Sequence, residues 1–253
     1  MQITFLGTGT SQGVPVIGCK CNLCKSNDTR DNRLRSSVLI KINKSTFVID
    51  AGPDFRQQML RENIEKLDAI LLTHSHKDHI GGLDDIRAFN FLQNKPMDIY
   101  ANKETNEVIK KDFYYAFGEN RYPGVPEMNL LTVDGNPFYI NDIEIIPINV
   151  LHLEMPVFGF RIGDFVYVTD ASYISEKQKQ KMLNADVLVL NALRIKKHYS
   201  HFNLEQAIDI INELKPKKAY LTHISHKFGR YEDITPTLPI NISLAYDGLK
   251  IDM

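Results

Sequence analysis

Thr73-His74-Ser75-His76-Lys77-Asp78-His79-Ile80-Gly81-Gly82 places three imidazoles and a carboxylate within six residues, directly after the apolar run Ala69-Ile70-Leu71-Leu72. That run reads as a buried strand, so the histidines fall on the loop at its end, and the glycines permit a tight turn into the next helix. Imidazole and carboxylate are the donors that hold zinc and comparable divalent ions. Alternating spacing lets His74 and His76 face one ion while Asp78 and His79 face another. A polar loop with scattered histidines would give this pattern only rarely by accident.

Other donors also stand at the ends of apolar segments. His152 closes Ile145-Ile146-Pro147-Ile148-Asn149-Val150-Leu151, His223 closes Ala219-Tyr220-Leu221-Thr222, and Asp170 closes Phe165-Val166-Tyr167-Val168-Thr169. Taken singly, each is an ordinary loop or capping residue. Strands ending on one sheet edge can gather distant residues, and here that edge would supply five histidines and two aspartates. Seven ligands suit two metals with one shared carboxylate.

With these segments in this order, and with Asp50 in Val48-Ile49-Asp50-Ala51-Gly52, the chain resembles a metallo-β-lactamase-fold hydrolase over essentially its whole length. The resemblance implies that a first metal takes His74, His76 and His152. A second takes Asp78, His79 and His223, with Asp170 bridging, while Asp50 supports the loop from behind the ligands. It also implies a four-layer αββα sandwich of the α/β (α+β) class, with zinc or manganese as the two catalytic ions.

A finer match lies in Leu6-Gly7-Thr8-Gly9-Thr10-Ser11-Gln12-Gly13-Val14-Pro15, which runs into Gly18-Cys19-Lys20-Cys21-Asn22-Leu23-Cys24. This is similar to the phosphonate-breakdown phosphodiesterase subgroup, which opens 5-phosphoribosyl 1,2-cyclic phosphate. A related cysteine segment occurs in the pyrroloquinoline quinone biosynthesis protein, so the match fixes a subgroup more firmly than a substrate. In the subgroup, three such cysteines and a histidine, here His226, hold a separate structural zinc. The cysteines also carry a physical argument of their own. All three of the chain's cysteines lie within six residues. An odd, clustered set is poor disulfide material, whereas three thiolates can surround a tetrahedral ion and leave a fourth position for imidazole. Reactive or merely reduced surface thiols are the alternative.

The 253 residues, with 24% charged and a formal net charge of −1, suit one enzyme domain spanning 1–253 and give no global field for nucleic acid. No segment approaches membrane-spanning length, and the amino terminus lacks a secretory pattern, so a cytoplasmic location is expected. Strands are expected near 2–6, 36–42, 45–50, 68–72, 97–101, 143–151, 157–162, 164–169, 186–191 and 217–222. Helices are expected near 82–92, 103–112, 175–183 and 203–214, the last from apolar positions 204, 207, 208, 211 and 214. The aromatic stretch 113–124 reads as a loop, either a wall over the metals or a satellite core or subunit contact. A homodimer would satisfy both.

The expected function is hydrolysis of a small phosphodiester, open-chain or cyclic. Two divalent ions would polarise the phosphoryl oxygen and generate hydroxide from a bridging water. Asp78 would orient that hydroxide. His201 matches the subgroup's additional active-site histidine and would act as general acid for the leaving alkoxide, while His198 reads as a surface or supporting residue. The fold also serves lactone and thioester hydrolases, transfer-RNA-processing nucleases and a metal- or ligand-binding carrier. Neither a long RNA-gripping insertion nor a strongly basic character is present, so nucleic acid and membrane are not expected partners.

Overall fold

The computed structural model describes residues 1–118 and 122–253. The chain divides into two compact units, residues 1–6, 37–134 and 248–253 in the first, and 7–36 and 135–247 in the second.

In the first unit, β1 (Gln2–Gly7), β2 (Ser37–Ile42), β3 (Ser45–Ile49), β4 (Ala69–Leu71), β5 (Met97–Ala101) and β6 (Met128–Thr132) are joined by α1 (Phe55–Arg61), α2 (Lys77–Ile80), α3 (Arg87–Gln93) and α4 (Lys103–Asp112). The second unit contains β7 (Phe138–Ile140), β8 (Ile143–His152), β9 (Met155–Ile162), β10 (Phe165–Val168), β11 (Val187–Asn191), β12 (Lys218–Thr222) and β13 (Ile242–Leu244). Its helices are α5 (Glu176–Gln180), α6 (Leu204–Leu214) and α7 (Tyr231–Ile234). The last strand, β14 (Lys250–Asp252), returns to pair with β1. Each unit is thus built on a mixed, seven-stranded sheet among the described residues, ordered β14-β1-β2-β3-β4-β5-β6 and β13-β12-β11-β10-β9-β8-β7. This is the α/β class expected from the sequence.

Central strands of both sheets are buried on both faces. Val48, Ile70 and Ile99 pack with Phe55, Met59 and Phe89 of the adjoining helices, while Phe47, Ile49 and Leu71, on the alternate positions, are equally buried. In the second unit, Ala207, Ile211 and Leu214 of α6 join Val166, Leu188 and Leu221 in one core. Asn203 starts α6 with a capping box to Gln206, and Lys215 ends it in the left-handed region just before Pro216. Truncating Ile211 to alanine removes buried methylenes and costs about 2–5 kcal/mol.

Strand register sets the positions of the donors. β3 and β4 run parallel with Ile49 opposite Leu71, so Asp50 and Thr73 leave the same sheet edge. Parallel β10, β11 and β12 align Val168, Leu190 and Leu221, placing Asp170, Ala192 and His223 two residues past that row. Carboxyl ends of parallel strands are the usual ligand-binding edge of such sheets.

Several elements lie outside the sequence expectation. Helices α1, α2 and α7 and strands β6, β7, β13 and β14 were not anticipated, and α2 makes Lys77–Ile80 of the expected histidine loop helical; three of these strands have only three residues, too few to show a period. The stretch expected as helix over 82–92 splits into a 3₁₀ turn at Leu83–Ile86 and α3. Within 113–124, Phe113 and Ala116 enter the core of the first unit and Tyr114 is exposed, while 119–121 lie outside the described residues. No described helix is long and apolar enough to cross a membrane.

Candidate metal centres

In the first unit the loop after β4 is organised by Asp50. Its carboxylate accepts from the Thr73 amide at 2.8 Å and from the Thr73 hydroxyl at 2.9 and 3.0 Å, and lies 2.7 Å from His79 Nδ1. Burial pushes the Asp50 carboxyl up from its ordinary value, against the opposing pull of His79 and the Thr73 donors. A carboxylate on Nδ1 keeps the proton there and presents His79 Nε2 as a donor to an ion. The turn closes through Gly82, where a Cβ would collide with the Gly52 carbonyl oxygen. In this loop His74 Nε2 lies 3.0 Å from His76 Nδ1, and His79 Nε2 lies 3.2 Å from Asp78 Oδ2.

In the second unit His152, at the end of β8, donates from Nδ1 to the Ser200 carbonyl at 2.8 Å, which would make Nε2 the nitrogen offered to an ion. Asp170 Oδ1 lies 3.0 Å from His201 Nε2 and 3.2 Å from His223 Nε2. His223 is flanked by Thr10 Oγ1 at 3.1 Å and Ser36 Oγ at 3.2 Å. The amino-terminal loop reaches it through the Ile224 amide bonded to Thr8 O and the Thr10 amide bonded to Ile224 O. Beyond Asp170 the chain is clamped by buried Asn191, whose Oδ1 accepts from the Ala171 amide at 2.8 Å and whose Nδ2 donates to the Ala171 carbonyl at 3.0 Å.

The cysteine set also lies in the second unit. Cys19 Sγ and Cys21 Sγ stand 3.2 and 3.7 Å from His226 Nδ1, and donor atoms of all three cysteines and His226 lie within 4.8 Å of one another. The Cys24 amide beside its sulfur, together with the other thiols and His226, lowers the Cys21 thiol to about 6 against the cost of burial. Burial raises Cys24 to about 11.

Metal occupancy fits all three donor sets. Atoms held 2.0–2.3 Å from one tetrahedral ion sit roughly 3.3–3.8 Å apart, close to the separations here. Nitrogens and thiolates that converge this closely repel unless a proton or cation lies between them. His152, Asp170 and His201 also group within 4.8 Å.

Three of these donors or supports have left-handed backbones although none is glycine: Asp50 at φ 65°, Asp170 at 58° and His223 at 58°. Each follows the end of a strand, β3, β10 or β12, and the reversed twist turns its side chain out of the strand's alternation. Thr73, Thr10, Ser36, Ser200 and Asn191 position the donors without having been singled out from the sequence. The asparagine ending the apolar run Val187–Asn191 was the one visible signal.

The chain matches the model of the β-lactamase superfamily domain over residues 45–224. It is 38% identical to an octanoyltransferase of Porphyromonas gingivalis across 99% of its own length, yet spans only 51% of that relative. It is 27% identical to ribonuclease Z of Listeria innocua, over 99% of this chain and 96% of the relative. A solved diphosphatase from the PhnP family superposes with a TM-score of 0.93 at 40% identity, over 100% of this chain and 97% of that one. The motif order, the two-sheet architecture and this near-complete superposition agree, and the chain belongs to the β-lactamase superfamily and, within it, to the PhnP family.

Proposed function

We propose that this chain is a metal-dependent phosphodiesterase acting on a small phosphodiester, open-chain or cyclic. The observation that carries the reading is His201, an imidazole outside the ligand pattern of the family, with Nε2 3.0 Å from Asp170 Oδ1 and Nδ1 2.8 Å from Ser200 Oγ. Such a group can hold a proton for a leaving alkoxide. On the family's pattern, His74, His76 and His152 hold one ion and Asp78, His79 and His223 the other, with Asp170 shared and Cys19, Cys21, Cys24 and His226 holding a structural zinc. When bound, two divalent ions supply the positive charge that polarises a phosphoryl oxygen and acidifies water. Asp78 then orients the attacking water, and Asp50 fixes the ring of His79.

A cleft of about 220 Å³ beside His201 supports an anionic substrate: Arg194, His198 and Lys227 line it, and none of its lining residues is a carboxylate. The diphosphatase relative fits this reading, since an esterified phosphorus of a diphosphate, like that of a phosphodiester, carries two substituted oxygens of which one departs on hydrolysis. Ribonuclease Z aligns over 312 positions against 253 residues here, so at least 59 of those positions have no counterpart in this chain. That favours a small substrate over transfer RNA.

The test is turnover of bis(p-nitrophenyl) phosphate and 2′,3′-cyclic nucleotides by protein of measured metal content, loaded with zinc or with manganese. No turnover of any of them in either form would end the phosphodiester reading. The octanoyltransferase relative favours one second reading, hydrolysis of an acyl thioester, for which octanoyl-coenzyme A is the matching probe.

A further inference from the structure

Ser200 contacts three imidazoles at once. It is buried, with 6% exposure. Its carbonyl accepts from His152 Nδ1 at 2.8 Å, its hydroxyl lies 2.8 Å from His201 Nδ1 and 3.1 Å from His198 Nδ1, and its amide donates to His198 Nδ1 at 3.3 Å.

The proton positions in this network follow from donor and acceptor chemistry. A backbone N–H can only donate, so His198 Nδ1 is an acceptor and carries no proton. It therefore cannot donate to the hydroxyl, and the contact at 3.1 Å requires the Ser200 O–H to point toward His198. With that hydrogen committed, Ser200 Oγ faces His201 as an acceptor, and His201 Nδ1 must donate. The chain runs from His201 Nδ1–H to Ser200 Oγ, and from Ser200 O–H to His198 Nδ1. It fixes the proton of His201 on Nδ1 and assigns proton exchange to Nε2, the nitrogen 3.0 Å from Asp170. His198, stacked on Tyr199 with ring centroids 4.5 Å apart, anchors the outer end.

We infer that Ser200 is a positioning residue that sets the tautomer and aim of His201 through its hydroxyl, with His198 as the anchor that orients this hydroxyl. The inference rests on the phosphodiesterase reading, in which His201 serves the leaving group. Its hydroxyl and its carbonyl have separable duties. The carbonyl holds His152 and survives any side-chain change, so Ser200→Ala should leave metal content intact while freeing His201.

The experiment compares wild type with Ser200→Ala, Ser200→Thr and His198→Ala, each checked for metal content and thermal melting. For Ser200→Ala, kcat on a phosphodiester with an alkyl leaving group should fall about 10–100-fold, the usual consequence of removing a partner behind an active-site histidine. KM and activity on bis(p-nitrophenyl) phosphate should change much less. Threonine should restore most of the loss, and His198→Ala should show the same leaving-group pattern more weakly. A readout free of turnover is the ring ¹⁵N–¹H correlation spectrum of metal-free protein. Wild type should show a proton on His201 Nδ1 beside the one at Nε2 that faces Asp170, and Ser200→Ala should lose the Nδ1 proton. An unchanged His201 ring spectrum in Ser200→Ala, or equal losses on both substrates, overturns the inference even if the phosphodiesterase reading holds. Absence of wild-type turnover would count against that reading alone, because the spectra still decide the role of Ser200.

Discussion

His79 Nδ1 and Asp50 Oδ2 lie 2.7 Å apart with both side chains wholly buried. The same carboxylate receives the amide and hydroxyl of Thr73, so one residue fixes both the start of the loop after β4 and the ring that closes it. Asp50→Ala would leave these donors buried without their acceptor. Metal affinity of the histidine loop should fall about 10–100-fold, and melting temperature should fall with it. Asp50→Asn, which keeps one carbonyl oxygen, should lose less. Equilibrium dialysis against zinc and a thermal melt would check both, and an Asp50→Ala protein that binds metal like wild type would contradict this role.

Purified protein should carry about three metal equivalents, two at the histidine and aspartate donors and one at the cysteines. Asp170→Ala should lower the first two and spare the third, since on the proposed arrangement the lost carboxylate is the one shared between ions. Elemental analysis of wild type and variant reads this directly. A single tightly held ion in folded wild type would refute the stoichiometry.

His201→Ala should retain its metals but lose about two to four orders of magnitude in turnover of diesters with alkyl leaving groups. A nitrophenolate leaves without help, so that substrate should suffer much less. The ratio of the two losses is the quantity to measure, and a ratio near unity would reassign His201 to metal support.

Cys21→Ser should lose the structural zinc and melt on the order of 5 °C lower or more, with a smaller change in the chemical step. The thiol itself gives a pH signature in metal-free protein. Cys21 falls from 9.0 to about 6, chiefly through the Cys24 amide, so its thiolate persists well below the pH at which an ordinary cysteine is protonated. Its contribution to stability is present above pH 9 and fades as pH falls toward 6. Alkylation should therefore proceed at Cys21 near pH 7, while Cys24, raised to about 11, stays a thiol. Mass spectrometry of partially alkylated protein would show the order, and preferential labelling of Cys24 would refute it.

The candidate donors stand out in the sequence because chemistry concentrates them. Three imidazoles within His74–His79 and three thiols within Cys19–Cys24 have few other uses, and apolar runs mark the strands that carry His152, Asp170 and His223. The supports were not legible. Ser36 and Ser200 are ordinary small polar residues whose importance comes from chain reversals that bring them to His223 and His152. Helix α1 begins without a side-chain cap and has seven residues, too short for a convincing period, and β7, β13 and β14 exist because a neighbouring strand offers an edge. Long periodic elements such as α6 were read within a residue of their limits because burial of one face dominates their sequence.

The left-handed backbones at Asp50, Asp170 and His223 tie three sequence positions of this chain to a conformation that glycine would adopt more easily. Each such residue costs on the order of 1 kcal/mol or more, which glycine would relieve at no steric expense. At Asp170 and His223, a protein with no use for the ions would shed this strain by drifting to glycine, whereas Asp50 would still be needed to satisfy Thr73 and His79. The aspartate and histidine that this chain carries at 170 and 223 accept that strain, which fits the metal-holding role proposed for them. In a more distant relative, glycine at these positions would mark a chain that has kept the sheets and abandoned the metals.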